Sequence, residues 1–289
     1  MNNKHKELVL EKNGKLLVKE KIYENKLIKK NKVRVKPLNV GVCSSDIPRC
    51  FDEKAYFYPL IIGHEFSVII LEDPLNQLKP NQRCAVFPLR PCFNCVSCSL
   101  KEYNKCSSYS YYGSRTEGGI QTFLDIDRWN LIPVPEGLDN ISISLIEPLA
   151  VCIHTSKLID AKRVKNILLY GGGFLSQILS QILLNLKIKV TCVDRNEYKK
   201  DFFDNEISFF SSTKELNDSL FDVTIECCGA NGILEDCVRL TKAKGEIIQL
   251  ANPSVDSSIN SQTLSKLMRK ELSLIGTWNS LYRPDKTSH

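Results

Sequence analysis

Residues 166–194 read NILLYGGGFLSQILSQILLNLKIKVTCVD. A short apolar run ends in three glycines, a helical pattern follows, and a second apolar run ends in Asp194. Gly171-Gly172-Gly173-Phe174-Leu175-Ser176 is a G-x-G-x-x-G pattern with serine in the last place. On a strand–turn–helix, Gly171 permits the tight turn, and Gly173 lets the backbone approach a pyrophosphate resting on the helix N-terminus. Ser176 is small enough for close helix–strand packing. Asp194 follows about 20 residues on, where an acid hydrogen-bonds a ribose hydroxyl. A carboxylate there repels a 2′-phosphate, which favours NAD over NADP; Arg195 beside it is the feature on the side of NADP. A glycine run alone is a weak signal, and the competing reading is a doubly wound domain without nucleotide.

The same alternation continues outward. Strands are expected at 166–171, 188–194, 207–210, 221–229, 245–250 and 272–278, with helical patterns in FLSQILSQILLNL and GILEDCVRLTKA. This order is that of an α/β unit, a Rossmann-type doubly wound parallel sheet with helices on both faces. Before about residue 155 the pattern changes. Runs such as VRVKPLNVGVC, HEFSVIILE, RCAVFPL and WNLIPVP are broken by Pro, Gly and Asn, and read as strands and loops. The expected domains are 1–156 and 157–289, joined in or near EPLAVCIHTSKLI.

The totals suit this reading. A chain of 289 residues, 43% hydrophobic and 25% charged, fits two globular domains. No stretch is long and apolar enough to span a bilayer, and the charged start MNNKHKELVLEKNGK has no apolar core of a secretory signal. Twelve cysteines without a signal point to a reducing, cytoplasmic setting and to metal work. The net charge of +6 gathers partly in KLIKKNKVRVK at 26–36, read as a solvated face. No nucleic-acid motif surrounds it, so neither nucleic acid nor membrane is an expected partner.

Cys92, Cys95, Cys98 and Cys106 form a C-x2-C-x2-C-x7-C run. Four thiolates favour tetrahedral zinc in a closed, structural site. Two disulfides fit small secreted chains better, and the ferredoxin pattern has a last gap of three followed by proline, whereas seven and Ser107 stand here. A second set is looser: Cys43 and Asp46 in GVCSSD, His64 and Glu65 in GHE, and Glu147 in EPLA. A Cys, a His and a carboxylate suit zinc with a position left for water or substrate. Singly, each has a plain structural reading: a small buried hydrophobe, a core histidine, the opening of a helix.

The order GVCSSD, GHE, four-cysteine lobe, Glu147-Pro148, glycine turn resembles the zinc-dependent medium-chain alcohol and polyol dehydrogenases over nearly the whole chain. CSSDIPRCF, YFYPLIIGHEF, LRPCFNCVSC, YYGSRTEGG, IEPLAV and RKELSLIGTW are most similar to the members that act on sugar-alcohol phosphates. The resemblance implies a GroES-like β-rich catalytic domain beside the Rossmann domain, with the active site between them. It implies a catalytic zinc on Cys43, His64 and Glu147, with Glu65 a direct or water-mediated fourth ligand, and a structural zinc on Cys92, Cys95, Cys98 and Cys106. Ser45 matches the relay hydroxyl, and Asp46 is the acid implied to fix the orientation of a zinc ligand. The implied cofactors are two zinc ions and NAD; the implied substrate is a polyol or sugar phosphate; the implied assembly is a homo-oligomer, a dimer or tetramer. Arg49 and Arg115 are the candidate contacts for a phosphate, which a guanidinium fork fits well, or for the polyol. Three departures stand out: Ser176; Asn81, where a glycine-bearing turn is usual; and an end at NSLYRPDKTSH, where the family's return to the catalytic domain is expected to be missing, with activity weakened accordingly.

Overall fold

The computed structural model describes residues 4–22, 27–253, 256 and 258–282; Lys26 of the basic run and 283–289 of the C-terminal run lie outside the described residues. The described residues divide into two compact units, one holding those up to Pro148 together with Leu281 and Tyr282, the other those of Leu149–Ser280. The division falls after Pro148, inside the EPLAVCIHTSKLI stretch expected to hold the join and before the boundary expected after residue 156. A single helix carries the chain across, its first turn belonging to the first unit and Cys152 to the core of the second.

The first unit contains β1 (Lys4–Lys12), β2 (Lys15–Ile22), β3 (Lys32–Gly41), α1 (Asp46–Phe51), β4 (Leu60–Ile61), β5 (Glu65–Glu72), β6 (Arg83–Val86), β7 (Leu89–Arg90), α2 (Val96–Ser99), β8 (Ser110–Tyr111), β9 (Leu124–Asp127), β10 (Leu131–Pro133) and α3 (Asn140–Ser144). Its main sheet runs β10-β6-β5-β3-β9, with smaller sheets β2-β1-β4 and β7-β8. β5 lies between two antiparallel partners and is buried along most of its length, which is why FSVII is apolar apart from Ser67. In β3, Pro37 has no N–H to give the ladder; the register shifts between Pro37 and Asn39, and the Ser67 hydroxyl accepts the Asn39 N–H at 3.2 Å. Part of the basic run serves β3: Arg34, 5% exposed, pairs with Asp125. Below the cysteine lobe, Phe93 and Tyr103 meet Trp129 edge-on at 5.2 and 5.1 Å. Tyr282 closes on Trp129 and Phe87 at 4.9 Å each, so the described end of the chain packs on the first unit.

One contact in this unit is backbone on backbone. The Gly118 N–H donates to Ile61 O and the Gly119 N–H to Gly63 O, both at 2.8 Å. A Cβ on Gly113, which has φ +77°, would lie 2.5 Å from the Gly63 carbonyl oxygen, and one on Gly118 closer still. The turn 113–119 is thereby pressed onto the segment that leads into His64.

In the second unit α4 (Ile146–Ser156) leads to β11 (Asn166–Tyr170), α5 (Phe174–Asn185), β12 (Lys189–Val193), β13 (Ser208–Phe210), β14 (Phe221–Glu226), α6 (Ile233–Leu240), β15 (Thr241–Gln249), α7 (Ser261–Arg269) and β16 (Ser273–Gly276). The six strands form one parallel sheet in the order β13-β12-β11-β14-β15-β16. Ile167, Leu168, Leu169, Val223 and Ile225 are wholly buried, as expected of strands covered on both faces. Helix α6 ends at Leu240, so Thr241–Ala243, expected as helix, are strand. Lys270 Nζ donates to the carbonyls of Val238, Arg239 and Thr241 at 2.9, 2.9 and 2.8 Å, satisfying the helix end there. No described helix is long and apolar enough to cross a membrane.

The glycine contact is testable by denaturation. Gly118→Ala forces a methyl group onto backbone that has no room to give, and is expected to cost about 3 kcal/mol in urea unfolding. Gly276→Ala, where nothing lies within 4 Å of the added carbon, serves as the control and stays within about 0.5 kcal/mol. Equal stabilities for the two variants would contradict the packing described.

Candidate metal and nucleotide sites

The four lobe cysteines come together as the spacing anticipates. Ligand atoms of Cys92, Cys95, Cys98 and Cys106 all lie within 4.8 Å of one another. The Cys92 N–H donates to Cys106 Sγ at 3.3 Å. N–H groups of Cys98 and Ser107 hold the Cys95 thiol down to about 6, whereas burial, aided by Cys95 and Cys106, pushes Cys98 up to about 12. One anion-stabilising pocket and four crowded sulfurs make a donor set that fits zinc, since a bound cation removes the repulsion between thiolates.

A second group joins Cys43, His64 and Glu65, again within 4.8 Å of one another. Cys43 closes the loop after β3, and Glu65 begins β5 opposite Gly41 on the neighbouring strand, so the two strands set the spacing. Asp46, 1% exposed, opens α1 behind them. It accepts the Cys43 N–H at 3.1 Å and Arg49 Nη1 at 2.9 Å, and lies 3.4 Å from His64 Nδ1. An acid beside Nδ1 keeps a proton there and leaves the Nε2 lone pair for a metal. Burial alone would lower the His64 pKa, but Asp46, Cys43 and Glu147 outweigh it and hold it well above its ordinary value. Burial pushes the Glu65 carboxyl up, against the pull of His64 and Cys43. Protein packed around Glu147 pushes its carboxyl up to about 7, while His64 and the Tyr111 hydroxyl favour its charged form. A thiol and acids gathered on one imidazole make a place for a cation, and the Cys–His–carboxylate chemistry fits zinc with a position open.

Glu147 stands outside the compact group of three. Its Oε1 accepts the Tyr111 hydroxyl at 3.1 Å, and the Tyr111 ring meets the His64 ring edge-on with centroids 5.7 Å apart. Tyr111 was not a candidate from sequence; the glycine-rich YYGSRTEGG beside GHE is the signal that could have pointed to it. Ser45 Oγ accepts Arg49 Nη1 at 3.0 Å. Arg49 therefore engages Ser45 and Asp46 together. Arg115 lies elsewhere along the same wall, its guanidinium 4.4 Å from the Tyr56 ring centroid and 4.2 Å from that of Tyr109, donating to the Tyr56 hydroxyl at 3.2 Å. Tyr109 in turn meets Tyr111 at 6.4 Å, so a row of rings connects Arg115 to His64.

In the second unit the glycine turn has the expected form. Gly171, at φ +105°, leaves no room for a Cβ, which would lie 2.8 Å from Cys228 Cβ. The buried Ser176 hydroxyl donates to the Gly171 carbonyl, so serine closes the turn as well as fitting the space. Gly173 caps α5, and nothing lies within 4 Å of where its Cβ would be: an open cradle at a helix N-terminus. Asp194 accepts the N–H groups of Gly172 and Asn196 at 2.8 and 2.9 Å, and Lys199 Nζ at 2.6 Å. Burial acts to raise its pKa, but Lys199 and these N–H groups hold it below the usual range. Lys199 was also absent from the sequence candidates.

Comparison with known proteins agrees with this arrangement. Residues 29–136 match the alcohol dehydrogenase GroES-like domain. Galactitol 1-phosphate 5-dehydrogenase of Escherichia coli is 30% identical over 88% of this chain and 78% of its own, and L-idonate 5-dehydrogenase of the same organism is 23% identical over 82% and 74%. The crystal structure of galactitol-1-phosphate dehydrogenase from Escherichia coli superposes with a TM-score of 0.87 at 29% identity, covering 97% of this chain and 85% of that one. With a GroES-like first unit, a Rossmann-type second unit and this relationship, the chain belongs to the zinc-type medium-chain alcohol and polyol dehydrogenases, oxidoreductases that act on alcohols.

Proposed function

We propose that the protein is an NAD-linked dehydrogenase with two zinc ions that oxidises a secondary alcohol of a polyol or sugar-alcohol phosphate, or reduces the matching ketone. The observation that carries this reading is the Cys43–His64–Glu65 group with Asp46 behind the imidazole. A zinc held there would act as a Lewis acid on the substrate hydroxyl, and a bound nicotinamide would exchange the hydride. The chain's own groups do the rest. Asp46 orients His64 and, through the Cys43 N–H, the loop that carries the thiolate. Ser45 Oγ, accepting from Arg49, keeps its own proton directed away from that guanidinium and is the proposed proton relay. Gly171, Gly173 and Ser176 shape the turn for a pyrophosphate, and Asp194 meets a ribose hydroxyl.

Arg115 supports a charged substrate. Two tyrosine rings fix its guanidinium as a flat donor, which lowers the entropy lost on gripping phosphate oxygens. Arg49 is already paired with Asp46, so its contribution to phosphate binding is proposed to be through Ser45 and the shape of the site rather than a free charge. Of the two edges of the parallel sheet, β16 is the proposed contact in a homo-oligomer.

Two measurements follow. NADH formation should be seen with a hexitol phosphate, and Arg115→Ala should raise KM for it by roughly 10–100-fold while changing the unphosphorylated hexitol much less. Equal losses on both substrates would contradict the phosphate role. Asp194→Ala should lower the NAD-over-NADP ratio of kcat/KM about tenfold, because it removes the ribose acceptor and frees Lys199 for a 2′-phosphate. An unchanged ratio would remove Asp194 from the cofactor site.

A further inference from the structure

Two carboxylates, Glu65 and Glu147, stand near His64 in the first unit. Glu65 is inside the compact group with Cys43 and His64; Glu147 is outside it. The group that separates their roles is a tyrosine. Tyr111 ends β8, two residues before Gly113, whose close approach to Gly63 sets how near this strand comes to His64. From that place its ring abuts the His64 imidazole at 5.7 Å and its hydroxyl donates to Glu147 Oε1 at 3.1 Å. One rigid side chain thus touches both a ligand of the compact group and the carboxylate held off it. Tyr112, next in sequence, is turned the opposite way, its hydroxyl on Asp127 in the core, so the alternation of a strand directs Tyr111 to the metal side.

We propose that Tyr111 is a positioning residue of the catalytic metal site: it tethers Glu147 beyond direct reach of the metal, leaves Glu65 as the carboxylate ligand, and keeps the remaining position open. This deepens the dehydrogenase reading and rests on it. A phenol can do this where a smaller hydroxyl cannot, because its reach is fixed by a ring that is itself packed. Removing only the oxygen leaves the ring against His64 and releases Glu147, whose helix α4 then allows it to compete with Glu65 or with the open position.

The test uses the full chain with cobalt(II) in place of zinc at the Cys43 site and zinc retained in the cysteine lobe. Tyr111→Phe should change the visible cobalt spectrum, in band position and intensity, and should speed loss of cobalt to a chelator about tenfold. Adding Glu147→Gln to Tyr111→Phe should return the spectrum toward that of the parent, since the released carboxylate is then gone. Retention of zinc in the lobe and an unchanged far-ultraviolet circular dichroism spectrum establish that the variant is folded. A spectrum and chelation rate identical to the parent would overturn the positioning role while leaving the dehydrogenase reading intact. Failure of the parent itself to bind cobalt at this site would overturn both.

Discussion

The fold of the first unit depends on backbone atoms of Gly63, Gly113 and Gly118 lying in direct contact. Any side chain at Gly113 or Gly118 would push the 113–119 turn away from the segment Gly63-His64-Glu65. With the turn in place, one stretch of chain supplies Tyr109, Tyr111 and Arg115 to the same side as His64. The metal group, the tyrosine tether and the stacked arginine are consequences of that approach. Loss of it would not merely loosen a loop; it would separate the imidazole from the wall that frames it.

Charge gives the second layer of order. Asp46, Glu147 and the Cys43 thiol act on a single buried imidazole and raise its affinity for positive charge, a proton or, in its place, a metal ion. A folded protein tolerates such a concentration of acids when a cation is available to them. Arg49 offsets part of it from behind, through Asp46, and so leaves the front of the group to a metal. In the second unit the equivalent economy is seen at Asp194, which fastens the glycine turn through the Gly172 N–H while pairing with Lys199. The same carboxylate shapes the turn and is the one proposed to meet a nucleotide ribose.

Much of this was legible in the sequence because its signals are local. The inner strands β11, β12 and β14 are buried and read as largely apolar runs, and the alternation with helical patterns marks the half-buried β13 and exposed β16 at the edges. Cysteine spacing placed the lobe, and GVCSSD and GHE placed Cys43, Asp46, His64 and Glu65. The rest depends on distant partners. The end of α6 is set by Lys270, about 30 residues beyond it, so the pattern of TKA alone suggested more helix. The hairpin β1–β2 escaped notice because β2 is exposed along its length and is held partly by cross-strand ion pairs such as Lys4 with Glu20. Tyr111 acquires meaning only through Glu147, which lies 36 residues away. Arg49 and Arg115 looked alike in sequence; the fold gives one a buried acid and the other two aromatic faces.

Two donor sets of different character, one closed and one open, are proposed to hold zinc. Anomalous diffraction at the zinc edge from crystals of the full chain tests this most directly. The account predicts two peaks per chain: one among the four lobe sulfurs, and one bounded by Cys43, His64 and Glu65 with Glu147 beyond bonding distance. A single peak in the lobe, or a second peak bonded to Glu147 with Glu65 turned away, would contradict it.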